Sequence, residues 1–197
     1  MARAQLLDLL VRHSYQYEAE PVFQLTSGRR SQFYVNCKTT TMRRDAADLI
    51  AKAFEAHIPE AARAVGGLTL GADPIAYAIR DLSRLPLDAF VVRKTPKEHG
   101  LRKAIEGPIS AGLPVVVLDD VVTTGGSTLL AIEACRAAGL QIVAVLVLVD
   151  RMEDGGLDRI KSVAGPVPVH TIFTREELHA HWLQTGVGAA RSREASS

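Results

Sequence analysis

Residues 115–128 read Val-Val-Val-Leu-Asp-Asp-Val-Val-Thr-Thr-Gly-Gly-Ser-Thr. Four apolar residues in a row, three of them β-branched, predict a strand over 115–118 that is buried on both faces, as in a parallel sheet. That strand delivers two adjacent carboxylates, Asp119 and Asp120, to its end. Val121 and Val122 follow, then a small turn rich in hydroxyls and glycine, Thr123-Thr124-Gly125-Gly126-Ser127-Thr128. Leu129, Leu130, Ile132, Glu133, Ala134 and Arg136 continue as a helix that Gly139 can end. A strand–loop–helix unit of this kind suits a phosphate. Glycines admit an anion close to the backbone, and the unpaired N–H groups at a helix start point towards it.

Outward from this unit, strands alternate with helices. Leu6, Leu7, Leu10 and Val11 fall at helical spacing and predict an amphipathic helix over 2–13. Short strands are expected over 23–25 and 32–35, around the turn Thr26-Ser27-Gly28-Arg29-Arg30. A helix is predicted over 43–57, a strand over 64–67, a helix over 74–82 and a strand over 89–92. A long polar segment, 93–106, precedes the central strand. Beyond the central unit come a strand over 142–149, a helix near 155–163 and a strand over 167–173. Thr174-Arg175-Glu176-Glu177 reads as a capping box opening a last helix. The tail from Gly186 is small and polar and is expected to be mobile. The alternation predicts one α/β domain over residues 1–197 with a mainly parallel sheet. Ligands of such sheets gather beyond the carboxyl ends of the strands. Four polar groups fall there: Gly66-Gly67-Leu68-Thr69, Arg93-Lys94, Asp119-Asp120 and Asp150-Arg151.

Composition narrows the classes. The 197 residues carry 23 Lys and Arg against 22 Asp and Glu, which gives no support for a nucleic-acid-binding surface. No apolar run reaches the roughly 18 residues of a membrane helix. The first helix is interrupted by Asp8 and no small-residue cleavage site follows, so a cytoplasmic location is expected. Cys37 and Cys135 are too few for a disulfide framework and lack zinc-ligand spacing; they read as small buried residues.

Three glycine-rich readings compete for the turn after Asp120. A Walker loop needs Gly-Lys-Ser/Thr, and no lysine lies between Pro114 and Arg136. A dinucleotide fingerprint needs Gly-x-Gly-x-x-Gly, which is absent. Two carboxylates beside a phosphate would repel a bare anion. They make sense if they face hydroxyls or a divalent cation while the loop amides hold the phosphate. A ribose phosphate presents both groups. The alternative is an ordinary βα turn with solvated aspartates, which needs neither the acid pair nor the Thr-Thr-Gly-Gly-Ser run.

This stretch resembles the phosphoribosyl pyrophosphate signature of type I phosphoribosyltransferases. The resemblance implies that Asp119 and Asp120 bind the ribose 2- and 3-hydroxyls. It also implies that Thr123, Thr124, Gly125, Gly126 and Ser127 wrap the 5-phosphate, with Val121 and Val122 inside the same binding segment. The signature does not name the base, and it also occurs in regulators that bind this ligand without turning it over.

The segment Arg93-Lys94-Thr95-Pro96-Lys97-Glu98-His99-Gly100-Leu101-Arg102-Lys103 holds five fixed cations and a histidine. A solvated surface loop is the plain reading. Its place, where a buried strand ends on the phosphate rim, argues for a functional lid. Arg-Lys-x-x-Lys-x-His-Gly here resembles the catalytic loop of orotate phosphoribosyltransferases. By that likeness Arg93, Lys94, Lys97 and His99 contact phosphoribosyl pyrophosphate, chiefly its diphosphate, with Lys97 catalytic. Lys97 and His99 would reach into a neighbour's site, which implies a homodimer.

Residues 23–36 are similar to the N-terminal segment of the same family, which brings Phe33 and Tyr34 near the pyrimidine. Strand alternation lets at most one of them face it. Family members often have lysine where Thr26 stands, so Thr26 is given no strong role. Gly66-Gly67-Leu68-Thr69-Leu70-Gly71-Ala72-Asp73-Pro74 replaces the Tyr-Lys that some members carry after the third strand. Taken alone, Arg151 reads as a surface residue paired with Asp150 or Asp154. The resemblance instead places Arg151 and Thr123 at the orotate, with the guanidinium on its carboxylate. The likeness spans roughly residues 5–175. It implies the type I phosphoribosyltransferase fold with a small N-terminal hood and a flexible catalytic loop. The implied reaction is orotate plus phosphoribosyl pyrophosphate giving orotidine 5-monophosphate and pyrophosphate. Mg2+ would enter with the substrate, with Asp119 and Asp120 nearby and no dedicated protein metal site. A transferase for another base, a non-catalytic sensor of the same sugar, or one half of a split enzyme remain alternatives.

Overall fold

The apolar run 115–118 lies in the middle of a six-stranded sheet, and all four of its residues are fully buried. The structure is a computed structural model and describes residues 1–24, 28, 30–94 and 104–187. In chain order it contains α1 (Ala2–His13), β1 (Tyr15–Tyr17), β2 (Phe23–Gln24), β3 (Arg30–Ser31), β4 (Phe33–Val35) and α2 (Lys38–Thr41). A 3₁₀ turn at Arg44–Ala46 leads into α3 (Ala47–Glu55), then β5 (Ala64–Leu68), α4 (Asp73–Leu82), β6 (Asp88–Val92) and β7 (Ile105–Glu106). β8 (Pro114–Val122), α5 (Gly126–Ala137), β9 (Gln141–Asp150), α6 (Gly156–Ala164), β10 (Val169–Thr174) and α7 (Arg175–Thr185) complete it.

The sheet runs β10-β9-β8-β5-β6-β7. Every pairing is parallel except that of the short edge strand β7 with β6. Two small antiparallel pairs, β1 with β4 and β2 with β3, form a hood near the N-terminus. Side chains alternate across β8, so the sheet carries a core on each face. Val116 and Leu118 join Leu10 of α1, Ile50 and Phe54 of α3, and Ile75 and Ile79 of α4. Val115 and Val117 join Ala131, Ile132 and Cys135 of α5 and Ile160 of α6. Cover on both faces explains why β5, β8 and β9 are near-continuous apolar runs.

The topology places the site. After β5 the chain moves outward to β6, whereas after β8 it moves the opposite way, to β9 and β10. The loops leaving β5 and β8 therefore part, and a crevice opens between their carboxyl ends, where open α/β sheets hold their ligands.

The α/β class and the parallel sheet are as predicted, and several bounds are corrected. The central strand does not stop at Leu118. Its pairing with β9 continues to Val122 opposite Asp150, so Asp119 and Asp120 lie inside the strand and not at its end. The short strands expected over 23–25 and 32–35 are found at Phe23–Gln24 and Phe33–Val35 and take separate partners: Phe23 lies opposite Ser31, and Val35 opposite Tyr15. β1, α2 and β7 were not anticipated; each is four residues or shorter and shows no period. The helix expected over 43–57 is tightened into a 3₁₀ turn at its start and ends at Glu55. The capping box forms: Thr174 Oγ1 accepts the Glu177 N–H at 3.2 Å, and Glu177 Oε2 accepts the Thr174 N–H at 2.9 Å. Cys37 and Cys135 are free and buried. Among the described residues no helix is long and apolar enough to cross a membrane. Thr26, Lys97, His99 and the tail from 188 lie outside the described residues.

Leu118 is fully buried where β8 meets the α1/α3/α4 core. Leu118→Ala is expected to lower unfolding stability by about 2–5 kcal/mol through lost burial and a residual cavity. Urea denaturation checks this; a loss below about 1 kcal/mol would mean that the site collapses around the smaller side chain.

Candidate functional site

The turn between β8 and α5 is shaped for an anion. Gly125 has φ +80°, a left-handed conformation that glycine adopts without a Cβ clash, and it caps α5. Thr124, Gly126 and Ser127 are exposed on the lip, while Gly125 and Thr128 are buried. The first-turn N–H groups of α5 have no partner within the helix, and its dipole adds positive potential there. α6 braces this loop from behind. The Arg159 guanidinium donates twice to the Thr124 carbonyl, at 2.7 and 3.1 Å. A Cβ on Gly156 would come within 2.2 Å of the Thr123 carbonyl oxygen, so only glycine fits. Sequence reasoning singled out neither Arg159 nor Gly156; the Gly155-Gly156 pair was the available signal.

The two acids leave β8 on opposite faces. Asp119 turns towards α5, where Thr128 Oγ1 donates to its Oδ2 at 2.5 Å, and its Oδ1 accepts the Asp120 N–H at 3.0 Å. Asp120 turns towards α2 and the loop after β5. Lys38 Nζ stands 3.6 Å from Asp120 Oδ2, which has no hydrogen-bond partner. A Cβ on Gly71 would lie 2.3 Å from Asp120 Oδ1, so the β5 loop approaches this carboxylate as closely as a glycine allows. Thr69 Oγ1 in that loop donates to Asp73 Oδ2 at 2.6 Å, and Asp73 opens α4. Burial pushes the Asp119 carboxyl up to about 7, with the neighbouring Asp120 charge adding to the rise and the Thr128 hydroxyl opposing it. Burial also raises Asp120, against the pull of Lys38. Among the described residues no group of three or more His, Cys, Asp and Glu side chains could hold a metal ion.

Arg93 and Lys94 follow β6 on the same rim. Register sets Leu68 of β5 opposite Val92, and the Thr69 N–H donates to the Val92 carbonyl at 2.9 Å. The basic segment has a pinned base. The Arg93 N–H donates to the Ala104 carbonyl at 2.8 Å, β7 pairs with β6, and Arg93 NH1 lies 3.6 Å from Glu106 Oε1.

Arg151 continues from β9, and its N–H donates to the Val122 carbonyl at 2.9 Å, one residue before Thr123. The structure therefore brings Arg151 and Thr123 together. Arg151 is buried, not a surface residue, and its partner is neither Asp150 nor Asp154. Its NH2 lies 3.0 Å from Glu153 Oε2 and donates to the Phe33 carbonyl at 3.4 Å, while its Nε has no hydrogen-bond partner. Phe33 and Tyr34 diverge, as strand alternation requires. The Phe33 ring packs 5.3 Å from both Tyr17 and His179, with the Arg175 guanidinium 4.7 Å over its face. Tyr34 stacks instead on Phe23 of the hood hairpin, at 5.7 Å.

The raised Asp119 has a stability consequence. In the unfolded chain this carboxyl ionises near 3.8, in the native state near 7. Its contribution is therefore fully present below about pH 4 and is lost as pH rises through about 7. Asp119→Asn removes that loss. The melting temperature of the variant relative to the parent chain is expected to climb between pH 4 and pH 8 in parallel thermal melts. A flat difference would show that Asp119 does not ionise at an elevated pH.

Comparison with known proteins agrees with this geometry. The phosphoribosyl transferase domain family model matches residues 38–176. Orotate phosphoribosyltransferase of Aquifex aeolicus is 44% identical over 182 residues, covering 90% of this chain and 98% of that protein. The crystal structure of Mycobacterium tuberculosis orotate phosphoribosyltransferase in complex with Fe(III) dicitrate superposes with a TM-score of 0.77 at 35% identity, over 90% of this chain and 99% of that one. The same mycobacterial enzyme in complex with 5-phospho-alpha-D-ribosyl 1-diphosphate gives a TM-score of 0.74 at 34% identity, over 91% and 99%. With its carboxylate strand, glycine–hydroxyl helix start and arginine-bearing neighbour strand on one rim, the chain belongs to the phosphoribosyltransferase family, among its orotate phosphoribosyltransferases.

Proposed function

We propose that this enzyme transfers the 5-phosphoribosyl group from phosphoribosyl pyrophosphate to orotate, releasing pyrophosphate and giving orotidine 5-monophosphate for UMP synthesis. One observation carries the assignment of the site. At the switch point, a buried carboxylate with one oxygen that makes no hydrogen bond and faces Lys38 at 3.6 Å lies beside a glycine–hydroxyl helix start, so a diol acceptor and a phosphate seat share one crevice.

In this reading the 5-phosphate occupies Thr123–Ser127, and the ribose hydroxyls meet Asp120 and Asp119. Asp120 has a free acceptor for them; Asp119 would share its Oδ2 with Thr128. Arg93, Lys94, Lys97 and His99 take the diphosphate. Arg151, with Thr123 beside it, takes the orotate carboxylate; its unpartnered Nε is the donor left for it. Phe33 would then border the pyrimidine through its backbone, since its ring is engaged by Tyr17, His179 and Arg175. Tyr34, stacked on Phe23, is a weaker candidate.

The bond from the anomeric carbon to the leaving oxygen stretches, and positive charge grows on the ribose ring. Lys97, Arg93 and Lys94 stabilise the negative charge that collects on the diphosphate. An orotate ring nitrogen then attacks the anomeric carbon, and water must be kept out to prevent hydrolysis. The donor set fits Mg2+ only as a companion of the substrate. A magnesium ion prefers phosphate oxygens and water, with Asp119 and Asp120 nearby. Bound there, the ion would neutralise part of the diphosphate charge. The reading further includes one domain over the whole chain, a homodimer that shares the basic loop, and a cytoplasmic setting.

Lys97→Ala is expected to lower kcat by on the order of 100-fold or more with an unchanged melting temperature, because a charge-stabilising donor is lost only from the transition state. Full turnover by the purified variant would remove the basic loop from the mechanism. Arg151→Ala is expected to raise KM for orotate about 10- to 100-fold and to leave KM for phosphoribosyl pyrophosphate nearly constant. Equal shifts in both constants would rule out a carboxylate clamp.

A further inference from the structure

A second arginine stands behind the first. Arg175 opens α7 directly after the Thr174 cap. Its NH1 lies 3.4 Å from Glu153 Oε1, while Arg151 NH2 lies 3.0 Å from Glu153 Oε2. One carboxylate is thus held between two guanidiniums. Phe33 closes the arrangement: its ring carries the Arg175 guanidinium at 4.7 Å and its carbonyl accepts from Arg151 at 3.4 Å. The loop after β9, the start of α7 and the hood strand β4 meet in this ring of four residues.

Charge counting gives the arrangement a purpose. Arg151 and Glu153 alone would be a neutral pair, with little to offer an incoming carboxylate. Engaging a ligand would also pull Arg151 from Glu153 and strand a nearly buried anion, which is costly. Arg175 changes both terms. Within this ring of contacts two arginines and one glutamate leave an excess of +1, the flanking Asp150 and Asp154 being the same with or without Arg175, and Glu153 keeps a cationic partner when Arg151 turns to the ligand. His179, packed on the same Phe33 ring, is held below its ordinary value by burial and by Arg175, so it adds no competing positive charge at neutral pH.

We propose that Arg175 is a specificity-determining residue of this enzyme: held to Arg151 through Glu153, it supplies the additional positive charge that selects an anionic, carboxylate-bearing base over a neutral one. The proposal rests on the reading of Arg151 as the partner of the orotate carboxylate. It also makes Glu153 a positioning residue whose negative charge matters only while Arg175 balances it.

Steady-state kinetics on the full chain test this with Arg151→Ala, Arg175→Gln, Arg175→Lys, Glu153→Gln and the double variant Glu153→Gln/Arg175→Gln. Arg175→Gln is expected to raise KM for orotate about tenfold while KM for phosphoribosyl pyrophosphate stays within about twofold. Uracil, used as a competitive probe, should keep its inhibition constant, so discrimination between the two bases falls by the same factor. Adding Glu153→Gln should recover most of the lost orotate affinity, because the anion that Arg175 offsets is gone; a packing role for Arg175 predicts no such rescue. Arg175→Lys keeps the charge, should retain orotate binding, and serves if the glutamine variant does not fold. If Arg151→Ala weakens orotate binding and the Arg175 variants do not, the inference falls and the Arg151 reading stands. If Arg151→Ala has no effect either, both fall.

Discussion

Two adjacent carboxylates buried inside a parallel strand are costly to hold, and the surroundings of β8 are arranged around that cost. An ionised carboxylate removed from water needs hydrogen bonds or a counter-charge. Asp119 receives the Thr128 hydroxyl and a backbone N–H, and Asp120 receives backbone N–H groups and the attraction of Lys38. Glycine at position 71 lets the β5 loop pass against Asp120 where any Cβ would collide with it. An apolar pair at 119–120 would suit the fold better. In the proposed reading, the acids mark a place where stability is given up for a ligand that would complete their hydrogen bonding.

The same rim shows how rigid elements hold groups supplied by distant parts of the chain. The phosphate turn is fixed between β8 and α5 and is braced by Arg159 and Gly156 of α6. The basic segment leaves and returns through one hydrogen-bonded neck at Arg93 and Ala104. The hood is tied to the rim through Phe33 and Arg151, and to α7 through Tyr15, whose hydroxyl lies 2.9 Å from His179 Nδ1. A shift of α7 or of the hood would thus be felt at Arg151.

How much was legible in the chain varies with the length of the pattern. The strand at 115–118, the helix after Ser127 and the capping box at Thr174 each follow from a local rule: a doubly buried run, a glycine stop, a reciprocal cap. Strands of two or three residues such as β1 and β7 have no period to read, and they exist because a partner strand lies beside them. The apolar run stops at Leu118, which puts Asp119 and Asp120 at its end in the sequence; pairing with β9 carries the ladder past them.

By itself, the amino-acid sequence determined the α/β alternation, the phosphate-suited turn with its acids, and the rim on which Arg93, Asp119, Asp120 and Arg151 fall, since these depend on residue type and spacing along one segment. Tertiary structure alone decided which face each acid takes, that the Phe33 ring packs on Tyr17, His179 and Arg175 while Tyr34 stacks on Phe23, and that Arg151 meets Glu153 and Phe33 in place of Asp150 or Asp154. Those outcomes depend on β4, the loop after β9 and α7 converging in space. Phe33, 118 positions from Arg151, leaves no trace in local periodicity or propensity, and the choice of Glu153 over its neighbouring acids follows from how the loop after β9 is held.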